Sequence, residues 1–250
     1  MKDDFYIGYD ACMPVSLSGR IRVTAVALIV LAVVVSGVLV IAQGRFAKAT
    51  FEYGRTRTFD GRLVEYPYPA LLVAEPAGAS RLYWLVGAGK RGAFDLVTGR
   101  DGQMVRVNGS LIERDQDRMI EVPSREAIVA IDAGKRPLAP LRSLGRVVVR
   151  GEIVDSKCHL GVMKPGEGAT HRDCAVRCLL GRVTPMLAPS RHDARVGRVA
   201  LVDRDGQPLT ESLESIVGRP VEIRGELLAR GPLRFLATDV SAMLAITGTE

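Results

Sequence analysis

Three of the four cysteines and two of the three histidines of this 250-residue chain fall in one short stretch, Cys158-His-Leu-Gly-Val-Met-Lys-Pro-Gly-Glu-Gly-Ala-Thr-His171-Arg-Asp-Cys174-Ala-Val-Arg-Cys178-Leu-Leu-Gly181. Thr170 suits a helix N-cap, Asp173 follows as a short version of the capping-box acid, and Gly181 suits the position just past a helix end. These signals predict a helix from His171 to Leu180. On it, His171, Cys174 and Cys178 are spaced i, i+3, i+7 and share one face. Cys158 ends a preceding strand, and the turn-rich segment Lys164-Pro-Gly-Glu-Gly168 brings strand and helix together. Three thiolates and one imidazole then converge as a tetrahedral donor set suited to Zn²⁺, or to Cu⁺ with Met163 as a further soft donor.

Two other chemistries use the same residues. Cys158 can form a disulfide with Cys174 or with Cys178, which leaves one thiol free. Cys174 and Cys178 are poor partners for each other, since Cβ atoms four apart on a helix lie ~5–6 Å from one another and a disulfide needs ~3.5–4.5 Å. The third reading is thiol redox or catalytic work. The Cys-x-x-Cys redox motif and the haem-attachment Cys-x-x-Cys-His are both missing from the sequence.

The elements that position this stretch are announced by internal similarity. Gly102-Gln-Met-Val-Arg-Val-Asn-Gly109 matches Gly218-Arg-Pro-Val-Glu-Ile-Arg-Gly225, and Leu111/Leu227, Arg114/Arg230, Arg118/Arg234 and Ile120/Leu236 keep the same offset of 116. Leu85-Val86 and Leu201-Val202 keep it too. Gly61-Arg-Leu-Val-Glu65 matches Gly151-Glu-Ile-Val-Asp155 at an offset of only 90, so the second unit carries 116 − 90 = 26 extra residues. The Cys/His stretch lies in them.

Period-two alternation around Val105 and Val107, and around Val221 and Ile223, reads as half-buried strands, with Asp60-Gly61, Asp101-Gly102 and Asp205-Gly206 as turns. The expected architecture is mainly β: two tandem OB-like barrels over residues 55–132 and 146–245, a linker at 133–145, and a Cys/His-bearing helical insertion at 158–185 in the second barrel.

Ahead of the barrels, Val23 to Ala42 is a run of twenty residues without a charge. At ~1.5 Å per residue it spans the ~30 Å core of a bilayer. It is longer than the ~7–15 apolar residues of a cleaved signal, and a polar tail, residues 1–22, precedes it. The reading is an uncleaved single-pass transmembrane helix, with a cleaved secretory signal as the alternative, since Val40-Ile41-Ala42 and Ala47-Lys48-Ala49 both look like small-residue cleavage sites. Lys2, Arg20 and Arg22 face Arg45, Lys48, Arg55 and Arg57 across it. Long domains translocate largely regardless of such charges, so residues after 43 are placed outside the cytoplasm. Cys12 is then separated from the other three thiols by the membrane.

The segment Gly151-Glu-Ile-Val-Asp-Ser-Lys-Cys-His-Leu-Gly, then His171-x-x-Cys-Ala-x-x-Cys178 and Val217-Gly-Arg-Pro-Val, resembles a family of small, poorly characterised bacterial exported or membrane-anchored proteins with an OB-like domain. The resemblance covers about residues 148 to 242. It departs at His159, where an aromatic is usual, and at Arg182-Val-Thr-Pro185. Together with the anchor and orientation read above, it places the chain in a bacterial inner membrane with its barrels on the periplasmic side, and it implies no particular activity.

The formal net charge of +6 belongs to the part beyond the anchor, because the N-tail balances Lys2, Arg20 and Arg22 against Asp3, Asp4 and Asp10. Trp84 and Tyr83 read as core or lining residues, His192 as a solvated loop residue, and Glu65 and Asp155 as structural groups at equivalent strand ends. No nucleotide loop, nucleophile elbow or zinc-protease helix occurs. The functional expectation is a non-enzymatic binding or accessory protein, tethered to the lipid bilayer and serving a membrane oxidoreductase or a metal-handling partner. An OB-type binder of nucleic acid or another extended ligand is the alternative, disfavoured by only thirteen aromatic residues, six Phe, six Tyr and one Trp. A thiol oxidoreductase is the third.

Overall fold

The computed structural model describes residues 13–44, 48–76, 78–209 and 212–246. Cys12 and most of the expected N-tail lie outside them. The chain divides into two compact units, residues 1–47 and 48–250.

The first unit is one helix, α1 (Val15–Gln43). It begins earlier than the apolar run, taking in Arg20 and Arg22, and its stretch Leu17–Gln43 is long and apolar enough to cross a membrane. Val26, Leu28, Val33 and Leu39 are all exposed, so the helix is apolar on every face and buries none of it. Such a helix is long and apolar enough to lie in a bilayer.

The second unit contains two closed five-stranded barrels in sequence. The first is built from β1 (Ala49–Phe51), β2 (Arg57–Val64), β3 (Ala70–Ala74), β4 (Ser80–Gly87), a single turn of helix α2 (Phe94–Val97), β5 (Gln103–Arg114), β6 (Asp117–Val122) and β7 (Ile128–Lys135). β2, β3, β4, β6 and β5 form the ring, closed where β5 pairs with both β6 and β2; β1 and β7 add to β5. The second has β8 (Arg142–Asp155), helix α3 (Arg172–Leu180), β9 (Pro185–Pro189), β10 (Val199–Val202), β11 (Pro220–Arg230), β12 (Leu233–Ala237) and β13 (Met243–Ala245). Its ring is β8, β9, β10, β12 and β11.

Both rings use one parallel contact. β4 meets β6 with Leu85 opposite Ile120, and β10 meets β12 with Leu201 opposite Leu236. A Cβ on Gly109 would stand 2.4 Å from the Glu121 carbonyl oxygen, and one on Gly225 would stand 2.5 Å from that of Ala237. The offset of 116 read from the sequence thus joins residues with the same strand partners.

Two expectations change. Asp60-Gly61 is not a turn but lies inside β2, where a Cβ on Gly61 would meet the Leu72 carbonyl at 2.6 Å; glycine is there for strand approach. Asp101-Gly102 and Asp205-Gly206 are turns, with φ of +72° and +74° at the glycines. Only residues 136–141 separate β7 from β8, a shorter connection than the expected linker at 133–145, and Leu138 and Leu141 pack on the core.

That core is shared. Val64, Tyr68, Trp84 and Ile112 of the first barrel form one buried cluster with Val154, Cys158, Leu160 and Phe235 of the second. Trp84, 3% exposed, meets Phe235 edge-on with ring centroids 6.3 Å apart. The Tyr68 hydroxyl donates to the Leu201 carbonyl (2.6 Å) and accepts from the Leu209 amide (3.1 Å). The barrels are therefore joined through packed side chains, and the Cys/His stretch lies beside that joint.

Candidate metal centre

The insertion leaves the second barrel between β8 and β9. Asp155 closes β8, and its Oδ1 accepts the Cys158 amide (2.8 Å), turning the chain sharply at the strand end. A short helical turn, Cys158–Val162, follows and is wedged against the first barrel; a Cβ on Gly161 would lie 2.5 Å from the Thr50 carbonyl. Cys158 is buried there.

The predicted helix forms as α3, one residue shorter than expected. His171, not Thr170, is the N-cap residue, and it makes no side-chain cap; its carbonyl accepts from Ala175 at 3.0 Å. The left-handed residue after the helix is Arg182, with φ 64°, rather than Gly181. Ala175 faces the interior of the second barrel, and this turns the cysteine-bearing side toward Cys158.

Cys158 Sγ lies 3.8 Å from Cys174 Sγ and 3.9 Å from Cys178 Sγ. All three cysteines are free thiols, with Cys158 and Cys178 buried and Cys174 half-buried. His171 is buried, and its Nε2 sits 3.0 Å from Asp155 Oδ2. The four expected ligands do not form one mutual set. Cys158, His171 and Cys174 offer donors within 4.8 Å of one another, and so do Asp155, Cys158 and Cys178, the two triads meeting at Cys158. Cys174 and Cys178 fall in different triads, and the His171 ring is held by Asp155.

A tetrahedron of thiolates at Zn–S bonds of ~2.3 Å has edges of about 3.8 Å. The Cys158–Cys174 and Cys158–Cys178 separations match that edge, whereas Cys174 and Cys178 do not share a donor set. A disulfide requires ~2.05 Å, so either pairing with Cys158 needs one sulfur to move by nearly 2 Å. The His171–Asp155 pair also suits a metal. An Nε2–H donated to the carboxylate leaves Nδ1 bare, the arrangement that orients most metal-bound imidazoles. Met163 follows the turn and is 44% exposed.

The electrostatics separate the thiols. The pKa of Cys178 is lowered, chiefly by its hydrogen bond with Cys158 and then by the nearby Lys90 ammonium, against burial, which raises it. Cys158 is pushed up by the same hydrogen bond and by burial. Lys90 comes from the first barrel: its Nζ donates to Cys174 Sγ at 2.7 Å and stands 3.8 Å from Cys178 Sγ. The hydrogen bond to Cys174 raises its pKa and keeps it an ammonium.

Lys90 and Asp155 are the residues that sequence reasoning missed at this site. Asp155 carries the structural role expected of it and also grips the histidine; its place three residues before a cysteine was the available sign. Glu65, its counterpart, accepts the Gly99 amide (2.9 Å) and has only the structural role. For Lys90, 84 residues from Cys174, nothing local in the sequence pointed here. His192 lies in the helical turn Arg191–Val196. His159 is buried next to the cluster but faces away into another network. Its Nε2 accepts from Arg198 Nε (3.0 Å), and its Nδ1 lies 3.0 Å from Glu167 Oε2.

Compared with protein-family models, with curated proteins and with solved structures, the chain matches none of the three. The functional reading therefore rests on the site itself.

Proposed function

We propose that the chain is a single-pass, membrane-anchored metal-binding protein in which the triad Cys158, His171 and Cys174, joined by Cys178 as the donors close on the ion, holds one thiophilic ion, Zn²⁺ or Cu⁺. The sulfur spacing carries this reading: separations of 3.8 and 3.9 Å around Cys158 are those of thiolates sharing an ion. The helix α1 supplies the tether to a bacterial inner membrane, with the barrels on the periplasmic side. An accessory role beside a membrane oxidoreductase or a metal-handling partner follows from a centre held at a membrane surface. The residues that carry the family resemblance are these same ligands. A nucleic-acid role has less support, since Trp84 is enclosed in the core and is not available for stacking on bases.

The test is metal content. The full-length chain, purified in detergent under reducing, anaerobic conditions, is expected to hold close to one equivalent of Zn or Cu, and Cys174→Ser is expected to abolish tight binding without unfolding the barrel. No metal in the wild-type chain, even after reconstitution with either ion, would sink the proposal. One observation favours a second reading, thiol exchange: Cys174 is the accessible sulfur, carries the Lys90 ammonium, and has Cys158 behind it at 3.8 Å as a resolving partner. That outcome would show as a Cys158–Cys174 disulfide formed and reduced reversibly in the metal-free chain.

A further inference from the structure

The loop 88–93 that carries Lys90 is clamped at both ends by the second barrel. At one end the buried Lys157 ammonium donates to the carbonyls of Gly87 (2.8 Å) and Gly89 (2.6 Å) and pairs with Glu121 of β6. At the other, the Gly92 amide donates to the Gly181 carbonyl (2.8 Å) just past α3. The second contact is so close that neither partner has room for a side chain. A Cβ on Gly181 would stand 1.8 Å from the Lys90 carbonyl oxygen, and one on Gly92 would stand 2.1 Å from that of Arg182. The Arg182 guanidinium adds a stacking contact, 4.2 Å over the Phe94 ring. A lysine on a free loop would wander through many rotamers. Here the backbone beneath Lys90 is fixed against the helix that presents Cys174 and Cys178.

Charge gives that placement a purpose. Three thiolates and a neutral imidazole around a divalent ion sum to −1, and around a monovalent ion to −2, in a site where Cys158, Cys178, His171 and Asp155 are all buried. Asp155 adds another negative charge. Buried charge without a counter-charge is costly. Among the described residues near the sulfurs, Lys90 is the cation that reaches them, and it does so as a hydrogen-bond donor, the interaction by which proteins stabilise metal-bound sulfur.

Resting on the reading of the cluster as a metal centre, we propose that Lys90 is part of that centre as the outer counter-charge that hydrogen-bonds its sulfurs, so that the centre is complete only when the two barrels are docked. Metal binding and docking are then one coupled equilibrium: the ion strengthens the joint, and the joint strengthens the ion's site. The second barrel alone supplies every ligand and still falls short of the full affinity.

The experiment uses the full-length chain in detergent, with Zn²⁺ alone as the probe and a chelator in competition. Lys90→Met is expected to weaken Zn²⁺ binding about 10- to 100-fold, the usual cost of losing a group that supports a ligand, whereas Lys90→Arg, which keeps a donor cation, recovers most of it. Hydrogen exchange supplies a readout that a merely structural lysine would not move. Zn²⁺ is expected to slow exchange in residues 87–93 of the wild-type chain, and this first-barrel protection is lost in Lys90→Met while that of α3 persists. Should Lys90→Met fold poorly by circular dichroism, Lys90→Gln replaces it in both measurements. A wild-type chain that takes up no Zn²⁺ or Cu⁺ overturns the metal reading and this proposal together. A wild-type chain that binds Zn²⁺, with Lys90→Met or Lys90→Gln binding as tightly or residues 87–93 indifferent to the ion, overturns this proposal alone.

Discussion

Gly181→Ala tests the joint without touching a ligand. The φ of Gly181 is −78°, a value open to any residue, so only space demands glycine there. The new methyl carbon would begin 1.8 Å from the Lys90 carbonyl oxygen and 3.3 Å from that of Cys178. Ordinary contact begins at 3.4 Å, so the Lys90 loop must retreat by about 1.6 Å (3.4 − 1.8). Overpacking of this kind costs ~1–3 kcal/mol, and losing the Gly92–Gly181 hydrogen bond adds ~0.5–1.5 kcal/mol. A total of about 2–4 kcal/mol corresponds to a fall of roughly 5–15 °C in Tm for a region of this size. The chain has a single tryptophan, Trp84, and it lies in the core common to both barrels. Its fluorescence therefore follows the joint directly during thermal unfolding. Retreat of the loop also carries the Lys90 ammonium away from Cys174, so Zn²⁺ affinity falls with stability. A variant whose Tm stays within about 2 °C of wild type, with unchanged Trp84 emission, would refute the claim that the glycine contact holds the barrels together.

Asp155→Asn keeps the shape of the side chain but can no longer accept as a carboxylate from both the Cys158 amide and His171; Zn²⁺ affinity measured by chelator competition is expected to drop about 10- to 100-fold with the barrels still folded. Acid should weaken the joint in two stages, followed by Tm against pH through Trp84 fluorescence. Burial holds His159 below its ordinary value of 6.5, so the folded chain resists protonation there, and stability present above 6.5 is lost as pH falls through the lowered folded value. Glu167 is lowered from 4.5 to about 2, chiefly by its hydrogen bond with His159, so its contribution persists down to about pH 4.5 and disappears toward pH 2. His159→Gln should flatten the first stage, and a profile identical to wild type would contradict the assignment.

Sequence alone carried the fold a long way, because its two strongest signals are physical necessities. An uncharged run of twenty residues announces one long apolar helix, and glycines spaced to let strands approach leave a mark that survives where other residues change. The three thiols were equally legible, since Cys174 and Cys178 share a helix face by geometry. The losses came where tertiary packing decides. Thr170 has the chemistry of a cap, yet the chain enters α3 through His171, whose ring is held by Asp155. Gly61 reads as a turn beside Asp60 until strand β3 is seen to press on it. Lys90 is invisible in principle: its meaning depends on how two barrels dock, and no local pattern encodes that.

The sequence separations within the site bear on the order in which it is assembled. Cys158 is 16 residues from Cys174 and 20 from Cys178, whereas Lys90 is 84 residues from Cys174. Closing a loop of that smaller size costs little chain entropy, and an ion can organise its ligands in a segment that has no fold of its own. If the cluster holds a metal as proposed, its three thiols can be gathered at lower chain-entropy cost than the contact with Lys90, which closes a much longer loop. On the proposed metal reading the centre thus has a local half, closed within about 20 residues, and a global half that depends on Lys90 from the other barrel.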